Sequence, residues 1–320
     1  MINTADFAKA HKILKAAKTI AVVGHIRPDG DAVGSALAIK YAYETTGAVV
    51  DIFFEEDIPN QFPYLEGHDT FQSAYPEERK GYDAIVIVDL GETKRMGIFE
   101  PLLKISKSAI CIDHHLGFAF KCDVALSDPT AAATGELVFQ LFETQKVPIT
   151  KKIADALYTA VATDTGCFLH SSTTAQTHRI AASLVEYGCD KFGINQVNFL
   201  TYDTQLFVGL GQILKNIRFY LRGSLSVTKL KDAKDYNTAH KGKYKQYLSG
   251  MEDVMISALL MEQGKKRFNV SFRSHGTTDV SEIAASFGGG GHRNAAGCTL
   301  RGSYRKLRKQ IVREVEKRLS

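Results

Sequence analysis

The chain has 320 residues, long for one hydrophobic core and comfortable for two domains. Its 44% hydrophobic and 23% charged content and net charge of +5 are ordinary for a soluble globular protein, and no run of 18 apolar residues exists to span a membrane. The N-terminus lacks a basic-then-apolar signal, and the five cysteines are odd in number without C-x-x-C spacing, so a cytoplasmic location is expected and a disulfide framework or zinc cluster is not.

In chain order, residues 19–24 read as a buried strand and 32–43 as a helix. Residues 49–54, 84–89 and 109–113 are further continuous apolar, β-branched runs, as in strands covered on both faces. Helical patterns follow at 135–143, 151–163 and 174–187. Strand alternating with helix predicts an α/β domain over 1–190, a doubly wound, mainly parallel sheet with ligands beyond the carboxyl ends of its strands. Residues 191–216 read as a linker of mixed helical character. Beyond it, 218–221 and 225–230 form an expected hairpin about Arg222-Gly223-Ser224. A helix is expected at 254–261, a strand at 268–272, a helix at 280–287 and a strand at 296–300. A second, smaller α/β domain at 217–320, across a cleft from the first, is the expectation. Eight Lys or Arg among the last twenty residues read as a solvated helix face in preference to an electrostatic funnel.

Acidic and histidine motifs stand where these runs give out: His25-Ile-Arg-Pro-Asp29-Gly-Asp31, Asp89 after Ala-Ile-Val-Ile-Val, Asp113-His114-His115, and Asp164 in Thr-Asp-Thr-Gly. Hard divalent ions take carboxylate oxygens with some imidazole. Two such ions roughly 3.5 to 4 Å apart share a water and clamp the attacking and leaving oxygens of a displacement at phosphorus. Taken singly, Pro-Asp-Gly-Asp is an ordinary turn and Asp89 an ordinary cap. Two adjacent imidazoles at a strand end have little value to a core, however, and the coincidence of all four motifs points to phosphate-ester cleavage.

The same residues, in the same order, resemble the four motifs of the DHH phosphoesterases, and Gly288-Gly-Gly-Gly-His292-Arg293-Asn-Ala-Ala-Gly297 is similar to the signature of their DHH-associated C-terminal domain. The resemblance implies two divalent ions, Mn²⁺ foremost with Mg²⁺ or Co²⁺ as alternatives. It implies one ion on His25 and Asp29, the other on Asp31 and His114, with Asp89 bridging and Asp164 completing the second site. It gives His115 the role of phosphate binder and proton donor to the leaving oxygen, and makes Asp113 the orienter of a histidine.

The glycine block lacks the third glycine of a dinucleotide fingerprint, and no G-x-x-x-x-G-K-[ST] loop is present. Gly290 and Gly291 let backbone amides approach an anion, with His292 and Arg293 adding donors on the same loop. Arg273 and Ser274 are the second expected substrate contact, where a guanidinium grips a phosphate bidentately. No room remains for further nucleic-acid-binding domains and there is no Trp, so short RNA oligonucleotides or bisphosphonucleotides are expected rather than long strands. The closest resemblance is to the nanoRNase and 3′-phosphoadenosine-5′-phosphate phosphatase group. A di-adenylate phosphodiesterase and a non-catalytic nucleotide-binding regulator are the competing readings, and a homodimer is expected from the group alone.

Overall fold

The computed structural model describes residues 2–55, 62–76, 81–115, 121–232, 236, 238–275 and 278–319. They form two compact units that divide between Thr201 and Tyr202.

In the first unit α1 (Thr4–Ala16) is followed by β1 (Thr19–Val23), α2 (Gly30–Glu44), β2 (Val49–Phe53), β3 (Ala84–Val88), α3 (Leu102–Ile105), β4 (Ala109–Asp113) and β5 (Val124–Ser127). Then come α4 (Thr134–Thr144), α5 (Lys151–Asp164), α6 (Ala175–Glu186) and the short α7 (Lys191–Asn195). The strands are all parallel, in the order β2-β1-β3-β4-β5. Ile20, Val22, Val86, Val88, Ile110 and Ile112 face a core shared with α1, α2, α4 and α5. Their alternates Ala21, Val23, Ile85, Ile87 and Cys111 face a second core with Tyr82, Met96, Phe99 and Leu102. Both faces are therefore dry, which is why these strands are unbroken apolar runs. The order reverses between β1 and β3, and ligands in open α/β sheets bind beyond the strand ends at such a reversal.

α2 is buried nearly all round. A Cβ at Gly30 would lie 2.3 Å from Thr163 Oγ1 and one at Gly34 2.2 Å from the Ala156 carbonyl, so glycine alone lets α2 press against α5. That contact holds together the helix that starts at the Asp29-Gly30-Asp31 turn and the helix that ends at Asp164.

The second unit holds α8 (Thr204–Asn216), β6 (Arg218–Tyr220), β7 (Leu225–Leu230), α9 (Thr238–Ser249), β8 (Ile256–Glu262) and β9 (Arg267–Ser274). It continues with α10 (Ser281–Ala285), β10 (Gly290–His292), β11 (Ala295–Arg301) and α11 (Tyr304–Leu319). The sheet order is β10-β11-β9-β8-β7-β6, antiparallel except for the β7 and β8 pair.

Three expectations need revision. The helix expected at 254–261 is replaced by β8: Ile256, Ala258 and Leu260 face the α10 and α11 core while Leu259 and Met261 face α8 and α9. A strand dry on both faces loses its period-2 alternation, and the run then reads equally well as a buried helix. The glycine block is also no free loop, since Gly290–His292 pair with β11 as an edge strand. The segment expected as a linker is largely helical, α7 belonging to the first unit and α8 to the second, where α8 packs Leu206 and Ile213 into the core. The basic C-terminal stretch is an amphipathic helix that buries Leu307, Ile311 and Val315 and leaves most of its cations outside.

Candidate metal centre

β1 delivers His25, whose Nδ1 lies 2.8 Å from the Ile26 carbonyl. A carbonyl only accepts, so Nδ1 carries a proton and Nε2 faces the site. Nε2 lies 3.8 Å from Asp29 Oδ2 and 3.3 Å from Asp89 Oδ2. Asp29 is the N-cap of α2: its Oδ1 accepts from the amides of Asp31 at 3.1 Å and Ala32 at 3.2 Å, leaving Oδ2 for the site. Burial disfavours charge on His25, yet the carboxylates of Asp29 and Asp89 beside it outweigh burial and raise its pKa to about 10. The negative field that holds a proton there favours any cation.

Asp31, in the first turn of α2, is fully buried. The N-terminus of α4 supplies its partners: Thr134 N donates to Oδ2 at 2.7 Å and Gly135 N to Oδ1 at 2.9 Å, with Ser35 Oγ at 3.3 Å. Burial, followed by the charges of Asp89, Asp164 and Asp29, nevertheless pushes its carboxyl well above the ordinary range. Burial also raises Asp164, with Asp89 and Asp29 adding to the shift and His114 opposing it.

Asp89 follows the last residue of β3 in the left-handed region, φ 56°, a conformation that costs a non-glycine residue about 1 kcal/mol or more. Its amide bonds the Ile112 carbonyl at 3.0 Å, and Thr134 Oγ1 donates to its Oδ1 at 3.1 Å. The constraint divides its two oxygens: Oδ2 faces His25, while Oδ1 lies 3.5 Å from His114 Nε2. His114 Nε2 also lies 3.7 Å from Asp31 Oδ2 and 3.5 Å from Asp164 Oδ2.

These donors form three groups whose ligand atoms lie within 4.8 Å of one another: His25, Asp29 and Asp89; Asp31, His114 and Asp164; and Asp89, His114 and His115. Neighbouring ligands of one hard ion sit roughly 3 to 3.5 Å apart, given metal–oxygen distances of about 2.1 to 2.5 Å. The imidazole–carboxylate separations of 3.3 to 3.8 Å approach that spacing and exceed a direct hydrogen bond. Four carboxylates and two imidazoles around Asp89 therefore fit a pair of divalent ions by donor type and by spacing.

The seventh residue is turned differently. His115 Nδ1 and backbone amide both bond Asp113 Oδ1, at 2.7 and 3.2 Å, which fixes the ring and leaves Nε2 as its outward nitrogen. The hydrogen bond to Asp113 raises the pKa of His115 above its ordinary value. Asp113 is fully buried and its second oxygen has no hydrogen-bond partner among the described residues.

Sequence reasoning overlooked Thr134, Gly135 and the Ala131 carbonyl, which receives His114 Nδ1 at 3.2 Å. Thr134-Gly135 at a helix start was the available signal, since free amides there bind anions.

In the second unit, His292 pairs with Ala295 and Ala295 with Arg273, so the glycine strand and Arg273 occupy one level of adjacent strands. Gly290, Gly291, His292 and Arg293 are exposed, and Arg273 is half-buried. Ser274 is buried and already engaged: its hydroxyl donates to the Thr278 carbonyl at 2.7 Å and accepts from Asn294 at 3.2 Å, bracing this end of the sheet. Lys245 on α9, which the sequence did not single out, has its pKa lowered by burial and then by Arg273 and Lys241. Crowded cations of this kind favour an anion.

Fold and site together define a metal-dependent phosphoesterase of two α/β units. The chain belongs to the DHH family: residues 19–161 match the DHH family, N-terminal domain, and residues 223–320 match the DHHA1 domain. Among curated relatives, the bifunctional oligoribonuclease and PAP phosphatase NrnA of Thermus thermophilus is 27% identical over 91% of this chain and 87% of its own. An exopolyphosphatase-related protein from Bacteroides fragilis superposes with a TM-score of 0.84 at 26% identity, covering 99% of this chain and 97% of that one. RecJ of Thermus thermophilus, solved with Mn²⁺, shares the fold alone, with a TM-score of 0.55 at 17% identity over 98% of this chain and 54% of that chain.

Proposed function

We propose that this protein is a Mn²⁺-dependent phosphohydrolase that trims short oligoribonucleotides to mononucleotides and removes the 3′-phosphate of 3′-phosphoadenosine-5′-phosphate. The observation that carries the reading is the split of Asp89, one carboxylate oxygen toward His25 and the other toward His114. The relatedness to a bifunctional oligoribonuclease and PAP phosphatase over most of both chains supports the substrate class.

His25, Asp29 and Asp89 would hold one ion, and Asp31, His114, Asp164 and Asp89 the other. When bound, such ions lower the pKa of a shared water and neutralise charge developing on the phosphoryl oxygens. The α4 amides of Thr134 and Gly135 hold and aim the Asp31 carboxyl, and Thr134 Oγ1 holds Oδ1 of Asp89. Asp113 presents His115 with Nε2 outward, and its hydrogen bond favours the protonated ring, which suits it to bind a phosphate oxygen and protonate the leaving oxygen. Arg273, Gly290, Gly291, His292 and Arg293 would recognise a further phosphate or the sugar-phosphate backbone.

The test is a Mn²⁺-supplemented time course on an RNA dinucleotide, a five-residue RNA, 3′-phosphoadenosine-5′-phosphate, and linear and cyclic di-adenylate. Fast loss of the short RNAs with release of phosphate from the bisphosphate is expected. Turnover of the di-adenylates alone would replace this reading with a signalling-nucleotide phosphodiesterase, and stoichiometric nucleotide binding without turnover would make the chain a regulator.

A further inference from the structure

Arg273 stands near the end of β9, where Phe268, Val270 and Phe272 point into the α10 and α11 core. Strand alternation turns Arg273 to the opposite face, on which α9 packs against β8 and β9. Two bonds tie the last turn of α9 to this end of the sheet. The Ser257 hydroxyl donates to the Leu248 carbonyl at 2.8 Å, and Ser257 is the direct cross-strand partner of Arg273. His275, just beyond Arg273, donates from Nε2 to the Ser249 carbonyl.

The rotation of α9 about its axis is fixed from its other flank. There the Tyr244 hydroxyl donates to the Gln205 carbonyl of α8 at 3.3 Å, and His240 Nε2 lies 2.7 Å from Asp203 Oδ2. The Lys243 ammonium lies 5.3 Å from the centre of the Tyr202 ring. α8 itself sits over β7, where Thr228 Oγ1 donates to the Ile213 carbonyl at 2.7 Å, and the sheet order puts β9 on the far side of β8 from β7. The helical repeat therefore sets Lys241 and Lys245 one turn apart on the flank that faces Arg273. Lys241, Lys245 and Arg273 are all half-buried, and none of them forms an ion pair with a carboxylate among the described residues. Lysine is seldom withdrawn from water unless it is paired, so a solvated helix face does not explain the arrangement. Burial, followed by the charges of Arg273 and Lys241, lowers the pKa of Lys245, as in a cation cluster that lacks its anion.

We propose that Lys245 and Lys241 extend the Arg273 site along α9 into a track for consecutive phosphates of one strand, Lys245 sharing the phosphate held by Arg273 and Lys241 taking the next. An RNA with at least three phosphates uses the whole track. A bisphosphonucleotide has one phosphate besides the scissile one and uses Arg273 and Lys245 alone. The inference rests on the reading of Arg273 as a phosphate contact, and it makes α9 the element that senses substrate length.

The experiment measures binding to the full chain in EDTA, where no turnover is needed. A fluorescently labelled five-residue RNA is followed by anisotropy and 3′-phosphoadenosine-5′-phosphate by competition, each over a range of salt concentrations. Lys245→Met keeps the apolar stem and removes the charge, and is expected to weaken both ligands about 10-fold, while Lys245→Arg binds as wild type does. Lys241→Met is expected to weaken the RNA about 10-fold more than the bisphosphate, and to lower the slope of log affinity against log salt for the RNA by about 0.7. Lys243→Met removes the same charge from the α8 flank and is expected to bind both ligands as wild type does. Equal losses in Lys241→Met and Lys243→Met would reduce the effect to net charge and overturn the proposal, as would unchanged binding in Lys245→Met. Wild type that binds neither ligand would instead strike the reading of Arg273 beneath it, and the proposal with it.

Discussion

In the first unit Asp31 and Asp113 are fully buried and Asp89 is 2% exposed, whereas in the second unit Gly290, Gly291, His292 and Arg293 all lie on the surface. The aspartates stand on strand ends and helix termini braced by backbone amides; the cations stand on and beside an edge strand. Buried like charges repel one another strongly, so the first arrangement favours a cation among them. Exposed charges are screened by salt, so the second suits a ligand that arrives and leaves. On the proposed reading, the first unit does the chemistry and the second the recognition.

The sharpest way to break that contrast is Asp89→Ala, which removes the carboxylate proposed to be shared by the two ions. A loss in kcat/KM of at least about 10³-fold is expected on every substrate, because several kcal/mol of charge stabilisation goes with it; steady-state kinetics would check it, and wild-type turnover would sink the two-ion account. Arg273→Ala attacks the recognition side, and should raise KM about 10- to 100-fold for short RNA while leaving kcat close to wild type. A fall confined to kcat would place Arg273 with the chemistry instead.

The contrast also explains what could be read without coordinates. The convergence of His25, Asp29, Asp31, Asp89, His114 and Asp164 was legible because candidate hard-ion ligands are few in kind and each followed an apolar run. Thr134 and Gly135 were not, since their donors to Asp31 are backbone amides that nearly any residue carries. β8 was misread because packing on both faces erased its alternation. Ser274 was read by its place in sequence beside Arg273, and nothing there foretold that Thr278 and Asn294 occupy its hydroxyl.

Gly291→Ala sharpens the recognition side further. Gly291 has φ 144°, and a Cβ there would lie 2.6 Å from the Ala295 carbonyl, so thermal unfolding should show a loss of about 1 to 3 kcal/mol, with metal binding by the first unit unchanged. An unaltered melting curve would mean that the edge strand yields freely.

The smallest effect belongs at the opposite end of β3 from Asp89. Asp83 accepts from Lys107 and from the Lys18 and Thr19 amides, and these bonds, the Lys107 one foremost, lower its pKa to about 2. A depressed carboxylate pKa stabilises above the unfolded value of about 4 and loses that contribution as pH falls through the folded value. Asp83→Asn should therefore flatten a small part of the stability loss between about pH 4 and pH 2, and an unchanged acid limb would show that Asp83 contributes nothing there.

The most direct test of the central claim is anomalous diffraction at the manganese edge from crystals grown with Mn²⁺. The account predicts two peaks roughly 3.5 to 4 Å apart, one on each side of the Asp89 carboxylate. A single peak, or two peaks that Asp89 does not bridge, would contradict it.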